Sequence, residues 1–595
     1  MKRRIAILLS VLMVFSSVAS ISAATDDEIE KRIDKIMEED LRYYREGRDY
    51  GQESSNFLGL FGASGSAKAA SAEEYAVAES EDGAEDYAVE ASASADAYTE
   101  AEYRDESGFI APTAPMPEPM PEPSSNEEYA PITEHGYISV LTQPFSTFGA
   151  DVDTASYSTM RRKLVEPYAL EQSYVPLEPS AIRIEEMVNY FKYNYKAPEN
   201  GEKFGVTTVL TTCPWNEDAL LLKVGVKGEE YQENGRGSNI VFLVDTSGSM
   251  FDFDKLPLVK HSIEILQNRF SENDRISIVT YAGSEEVLAE GLSGADHGRI
   301  MDAVSSMEAW GSTWGEGGIN KAYEIAEKYF IEGGNNRVIL CTDGDFNVGV
   351  SSEAGLKELI SNKRESGIFF SCLGFGEGNY SDTTMETLAD NGNGNYFYID
   401  SPREAEKALN EEFFSTIYTV AKDAKFQIEF NPETVKGYRQ IGYENRAMSA
   451  EDFADDTKDG GEIGAGTTVT VLYEIIPAGS DFEIPSVSSK YQKEAAGSSS
   501  ASGELLTVNL RYKEPDEDTS VLREYPVSMD DFSPEMDPDT SWAAGVAQAG
   551  MLLRDSEYAG NSNFEAIYDR LKENEDIMED DYKAEFMFLL RLMKK

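Results

Sequence analysis

Short apolar runs rich in β-branched residues alternate with helically spaced apolar positions across the middle of the chain. Ile240-Val241-Phe242-Leu243-Val244 is long enough for a buried strand and is followed by Leu256, Val259, Ile263, Leu266 and Phe270, one face of a helix. Residues 275–281, 337–341 and 368–375 predict further strands, and 298–307 and 317–330 predict helices. Continuous apolar strands separated by helices predict an α/β unit, a doubly wound and mainly parallel sheet with helices on both faces.

Strand-like segments flank this unit. Residues 206–212 and 220–227 precede it; 424–430, 467–476, 504–512 and 522–527 follow. Two strands alone are not independently stable. The two groups are therefore expected to share one β-rich sandwich into which the α/β unit is inserted. Residues 541–553, 564–572 and 582–593 have helical spacing.

The N-terminal pattern is of another kind. Lys2, Arg3 and Arg4 precede an apolar run from Ile5 to Val18 and the small residues Ser22-Ala23-Ala24, the layout of a cleaved secretory signal. No later stretch is long and apolar enough to suggest a second span. The expected location is secreted or at the cell surface, in the envelope outside the cytoplasmic membrane. Residues 25–50 predict a charged helix with a thin stripe of Ile29, Ile33, Ile36 and Leu41. Residues 66–130 carry 17 acidic and 2 basic side chains and end in a proline-rich stretch. Such a composition cannot bury enough apolar area to offset its ordering entropy, which predicts a disordered spacer.

Composition narrows the function. The 595 residues carry a formal charge of −57, which argues against nucleic acid or anionic lipid as a partner. Three cysteines give neither a disulfide scaffold nor a zinc signature. Three histidines (His135, His261, His297) leave little material for histidine-based catalysis.

The candidate chemistry lies at strand ends. The first strand runs into Asp245-Thr246-Ser247-Gly248-Ser249, a carboxylate followed by hydroxyls at alternate positions. Oxygen ligands of this kind suit a hard divalent cation. A second strand runs into Thr342-Asp343-Gly344, and Gly311-Ser312-Thr313 lies between the two. In this order the motifs resemble the metal-ion-dependent adhesion site (MIDAS) of von Willebrand factor type A (VWA) domains. The resemblance extends to an exported bacterial family with an N-terminal associated segment and a C-terminal domain of unknown function. It implies Asp245, Ser247, Ser249, Thr313 and Asp343 as ligands, Mg²⁺ as the cation with Ca²⁺ or Mn²⁺ as alternatives, and a protein partner offering Asp or Glu. Asp153-Thr154, ahead of a helix, reads as an N-cap rather than a second metal site.

The expected organisation is a signal peptide (1–24), a charged helix (25–50), a spacer (51–136), a VWA-associated segment (137–236), a VWA domain (237–420), a β-rich domain (421–535) and a helical end (536–595). The expected function is metal-dependent protein binding rather than enzymatic turnover. The alternatives are a structural envelope protein with an acidic stalk and, behind it, a metal-dependent enzyme.

Overall fold

The computed structural model describes residues 25–50, 129–150, 153–174, 176–230, 237–311, 315–344, 353–376, 382–413, 418–458, 460–484, 503–515, 517 and 519–594. The signal segment and the acidic spacer up to residue 128 lie outside these residues, as does the predicted ligand Thr313.

The central sheet has six strands. In spatial order they are Tyr396–Ile399, Phe369–Phe375, Asn335–Thr342, Ser238–Asp245, Arg275–Tyr281 and Glu285–Ser293. The first five are mutually parallel; the last is an antiparallel edge strand. Side chains along Ser238–Asp245 alternate between two cores. Ile240, Phe242 and Val244 pack with Leu258, Val259, Ile263 and Leu266 of helix Leu256–Gln267. Val241 and Leu243 pack with Ile319, Ala322 and Tyr323 of helix Gly315–Lys328. Both faces are covered, which explains the unbroken apolar run Ile240–Val244.

Ser238–Asp245 is also where the winding reverses. The next parallel strand lies on one side of it and Asn335–Thr342 on the other. Ligands of open α/β sheets bind in the crevice that such a reversal opens at the carboxyl ends. Asp245 and Asp343 stand there.

The flanking strands form two further sheets. One runs Ile138–Ser139, Val435–Ile441, Thr468–Pro477, Leu220–Gly228, Phe204–Thr212. Leu220–Gly228 pairs directly with Thr468–Pro477, from Leu220 opposite Ile475 to Lys227 opposite Thr468, so strands before and after the α/β unit share a sheet. The second sheet runs Ala447–Met448, Phe145–Gly149, Thr419–Phe430, Glu504–Lys513, Ser520–Ser528, with Ile463–Gly464 on Thr419–Phe430. A common core with Leu222, Val224 and Val471 from one sheet and Phe148, Phe426 and Val508 from the other makes them a sandwich.

Helices build the remaining core. Pro538–Leu553, Phe564–Leu571 and Asp581–Met593 pack with Ala155–Ala169 and Ile184–Asn189. The N-terminal helix Asp26–Tyr50 joins them. Ile29, Ile33, Ile36, Met37, Tyr43 and Tyr44 are buried, and Arg591 reaches back to Glu30 at 2.7 Å. The sequence stripe captured its isoleucines but not the two tyrosines. The helix and residues from 126 onward belong to one compact unit.

Helix Ala155–Ala169 begins after Thr154, but the Thr154 side chain makes no capping bond. Asp153 is committed elsewhere, accepting from Arg446 Nη2 at 3.1 Å, where Arg446 also meets Glu386 and Asp390 of the α/β unit. The side-chain N-cap expected at Asp153-Thr154 is therefore replaced by an ion-pair clamp between the sandwich and the α/β unit. His261 is largely buried, and burial lowers its pKa to about 4. Cys213, Cys341 and Cys372 are free thiols in buried positions. Among the described residues, no helix is long and apolar enough to cross a membrane.

Candidate metal centre

The first loop folds back on its own carboxylate. Ser247 N–H donates to Asp245 Oδ1 at 2.8 Å, and the Ser247 and Ser249 hydroxyl oxygens stand 2.9 Å apart. The loop then closes into the 3₁₀ turn Gly248–Phe251. Gly248 N–H donates to the Gly311 carbonyl at 3.1 Å, and Trp310 N–H to the Thr246 carbonyl at 2.8 Å. A Cβ at position 248 would stand 3.3 Å from that same Gly311 oxygen, so glycine permits the close approach. These two bonds bring the segment that leads to Thr313 against the first loop.

The other oxygen of Asp245 faces the sheet. Thr342 Oγ1 donates to Asp245 Oδ2 at 3.1 Å and Tyr281 Oη at 3.3 Å. Burial raises the Asp245 pKa to about 6, against the opposing effect of its bonds from Ser247 and Thr342, and the nearby Asp343 charge raises it further. A carboxylate kept from water beside a second one is costly unless a cation is added. This donor set, two carboxylates and two convergent hydroxyls at strand ends, fits a small hard cation. Among the described residues there is no group of three or more His, Cys, Asp or Glu arranged to hold a metal, so any ion here depends on the hydroxyls.

Asp343 already has one cationic neighbour. Lys255 Nζ donates to Asp343 Oδ2 at 2.9 Å, with the lysine side chain 9% and the aspartate 2% exposed. Sequence reading brought Asp245, Ser247, Ser249 and Asp343 to one crevice but missed Lys255, Thr342 and Tyr281. Lys255 precedes the apolar face of its helix, a position that ordinarily reads as solvated. Thr342 was visible as the neighbour of Asp343, whereas Tyr281 is brought in only by the pairing of its strand with Ser238–Asp245. Around the loop the surface is aromatic: Phe251 and Trp310 are 56% and 80% exposed.

This fold, with its strand-end loop, is that of a von Willebrand factor type A protein. Residues 239–411 match the family model for the von Willebrand factor type A domain, and residues 123–223 match one described as von Willebrand factor. Residues 415–595 match the model described as uncharacterized protein YfbK, C-terminal. The chain is 39% identical over 472 residues to the uncharacterized protein YfbK of Escherichia coli (strain K12), covering 78% of this chain and 80% of that one. It belongs to that family of bacterial VWA proteins with a YfbK-type C-terminal domain. Human inter-alpha-trypsin inhibitor heavy chain H3 is 30% identical over 193 residues, 30% of this chain and 21% of that one. Among solved structures, a von Willebrand factor type A protein from Catenulispora acidiphila aligns with a TM-score of 0.35 and 16% identity, over 67% of this chain and 91% of that one. Its family makes the chain a general protein-interaction module.

Proposed function

We propose that this is an exported, metal-dependent binding protein whose VWA domain engages an acidic side chain of a partner protein. The observation that carries the reading is the convergence of Asp245, Ser247 and Ser249 in the crevice that also holds Asp343. Asp245, Ser247, Ser249, Thr313 and Asp343 would hold a Mg²⁺ ion. When bound, the ion supplies a Lewis-acidic position that a partner's carboxylate can complete. On a chain of charge −57 this position would locally reverse the sign that otherwise repels acidic ligands. Phe251 and Trp310 offer apolar contact beside it.

Export is inferred from the basic, apolar and small-residue order of the first 24 residues. Binding is preferred to catalysis because VWA proteins of this kind are typically non-enzymatic. It is preferred to a purely structural envelope role because the strand-end crevice gathers the oxygen donors that a cation would need. Calorimetric titration of the full chain with Mg²⁺ tests the reading. Saturable binding that Asp245→Ala abolishes supports it; equal heats for both proteins remove it.

A further inference from the structure

Lys255 sits where an adhesion site would want no ammonium. Its Nζ is 2.9 Å from Asp343 Oδ2, and both side chains are nearly inaccessible. A buried lysine is tolerated when a carboxylate balances it. The same ammonium repels any other cation brought to that carboxylate, and in a dry crevice the repulsion is weakly screened.

The seat of this lysine is built deliberately close. Gly376, at the end of strand Phe369–Phe375, has φ +71°, and a Cβ there would come within 2.4 Å of Lys255 Cγ. Only glycine lets the backbone lie against the lysine stem at that φ. The Gly376 carbonyl is held in turn by Arg162 Nη1 at 3.1 Å and by Tyr398 Oη at 2.7 Å. The Arg162 guanidinium lies 5.1 Å from the centre of the Tyr398 ring. Arg162 belongs to helix Ala155–Ala169, outside the α/β unit. The lysine is thus fixed from the flanking segment as well as from its own helix.

We infer that Lys255 is an internal counter-cation that competes with the divalent ion for Asp343, setting how readily the site takes up and releases metal. In the lysine-paired form the ammonium neutralises Asp343. In the metal-bound form the ion takes over that charge and the ammonium is displaced towards solvent. The flanking helix, through Arg162 and Gly376, holds the lysine-paired form in place. This inference rests on the metal-site reading above and adds a residue that the ligand motif does not contain.

Titration calorimetry with Mg²⁺ and with Mn²⁺ on the full chain tests it. Lys255→Met should bind the ion about tenfold more tightly than the wild type, while Lys255→Arg, which keeps the charge, should stay near wild type. Unchanged or weaker affinity in a folded Lys255→Met protein overturns the inference. If that pattern appears while Asp245→Ala abolishes binding, the metal-site reading survives and only the role of Lys255 fails. If the wild type binds no ion, both fall. A second measurement needs no variant: reductive methylation of wild-type lysines, read by mass spectrometry with and without Mg²⁺. Labelling of Lys255 should rise several-fold with the ion, and equal labelling in both conditions overturns the inference.

Discussion

Arg161 Nε donates to Asp400 Oδ2 at 3.0 Å, joining the helix that precedes the α/β unit to the end of that unit's last strand. The guanidinium also reaches Glu404 at 2.8 Å and Glu585 at 3.1 Å, the latter on the C-terminal helix. Tyr190 Oη and Tyr157 Oη donate to Glu404 and Glu585. Arg403 extends the network to Asp40 of the N-terminal helix at 2.8 Å. Four parts of the chain, far apart in sequence, are therefore tied together through two adjoining cations, Arg161 and Arg403. Burial raises the pKa of Glu404 and of Glu585, opposed by Arg161.

Removing the central charge should be costly. Arg161→Met leaves Asp400, Glu404 and Glu585 without their shared partner. We expect a loss of about 3–5 kcal/mol, the usual scale for breaking a buried ion pair from one side. Urea unfolding of the full chain measures it. A loss below about 1 kcal/mol would show that the network is not structural.

The N-terminal helix should depend on its buried face. Ile33 is fully buried against the helical core. Ile33→Asp places an unpaired carboxylate there and is expected to cost about 3 kcal/mol or more. Hydrogen exchange reads the local effect: amides of residues 26–50 should be protected in the wild type and exchange freely in the variant. Protection retained in the variant would contradict the docking.

Glu185 provides a pH signature. Burial raises its pKa to about 8, and the charges of Glu444 and Glu186 raise it further. The folded state thus holds a proton that the unfolded chain releases near 4.5. The stabilisation is complete below about 4.5 and is lost as pH rises through about 8. Glu185→Gln should flatten the fall in stability between pH 5 and 8 by up to about 1.4 kcal/mol per pH unit. Chemical unfolding at pH 5, 6.5 and 8 decides it; parallel curves for both proteins would count against a protonated Glu185.

The thiols should be inert in the native state. Cys341 and Cys372 are fully buried, and burial pushes both thiols up; Cys213 is raised to about 11 by the same cause. Reaction with a thiol reagent at pH 8 should be negligible when folded and reach three equivalents in urea. Rapid native labelling of Cys341 or Cys372 would contradict this packing.

Sequence carried the α/β unit clearly because both faces of its strands are covered, which leaves a continuous apolar run such as Ile240–Val244. It carried the strand-end loop of Asp245, Ser247 and Ser249 because the three are close in the chain. It also anticipated the shared sandwich, since the two strands at 206–227 are too few to be stable alone. Long-range charge chemistry was much less legible. Nothing in the sequence pairs Lys255 with Asp343, Arg161 with Asp400, or Arg446 with Asp153. Only the fold brings each pair together. Periodicity could reveal the apolar stripe of helix Asp26–Tyr50 but not the body it docks against.

In the proposed binding mode, a cation held by the Asp245 loop receives a partner's carboxylate. Capture of envelope proteins on the immobilised full chain, in Mg²⁺ and in EDTA, with wild type and Asp245→Ala, addresses it directly. A protein should be retained only by the wild type in Mg²⁺, and lost when its contacting Asp or Glu is changed to Asn or Gln. Equal retention in EDTA, or by Asp245→Ala, would contradict it.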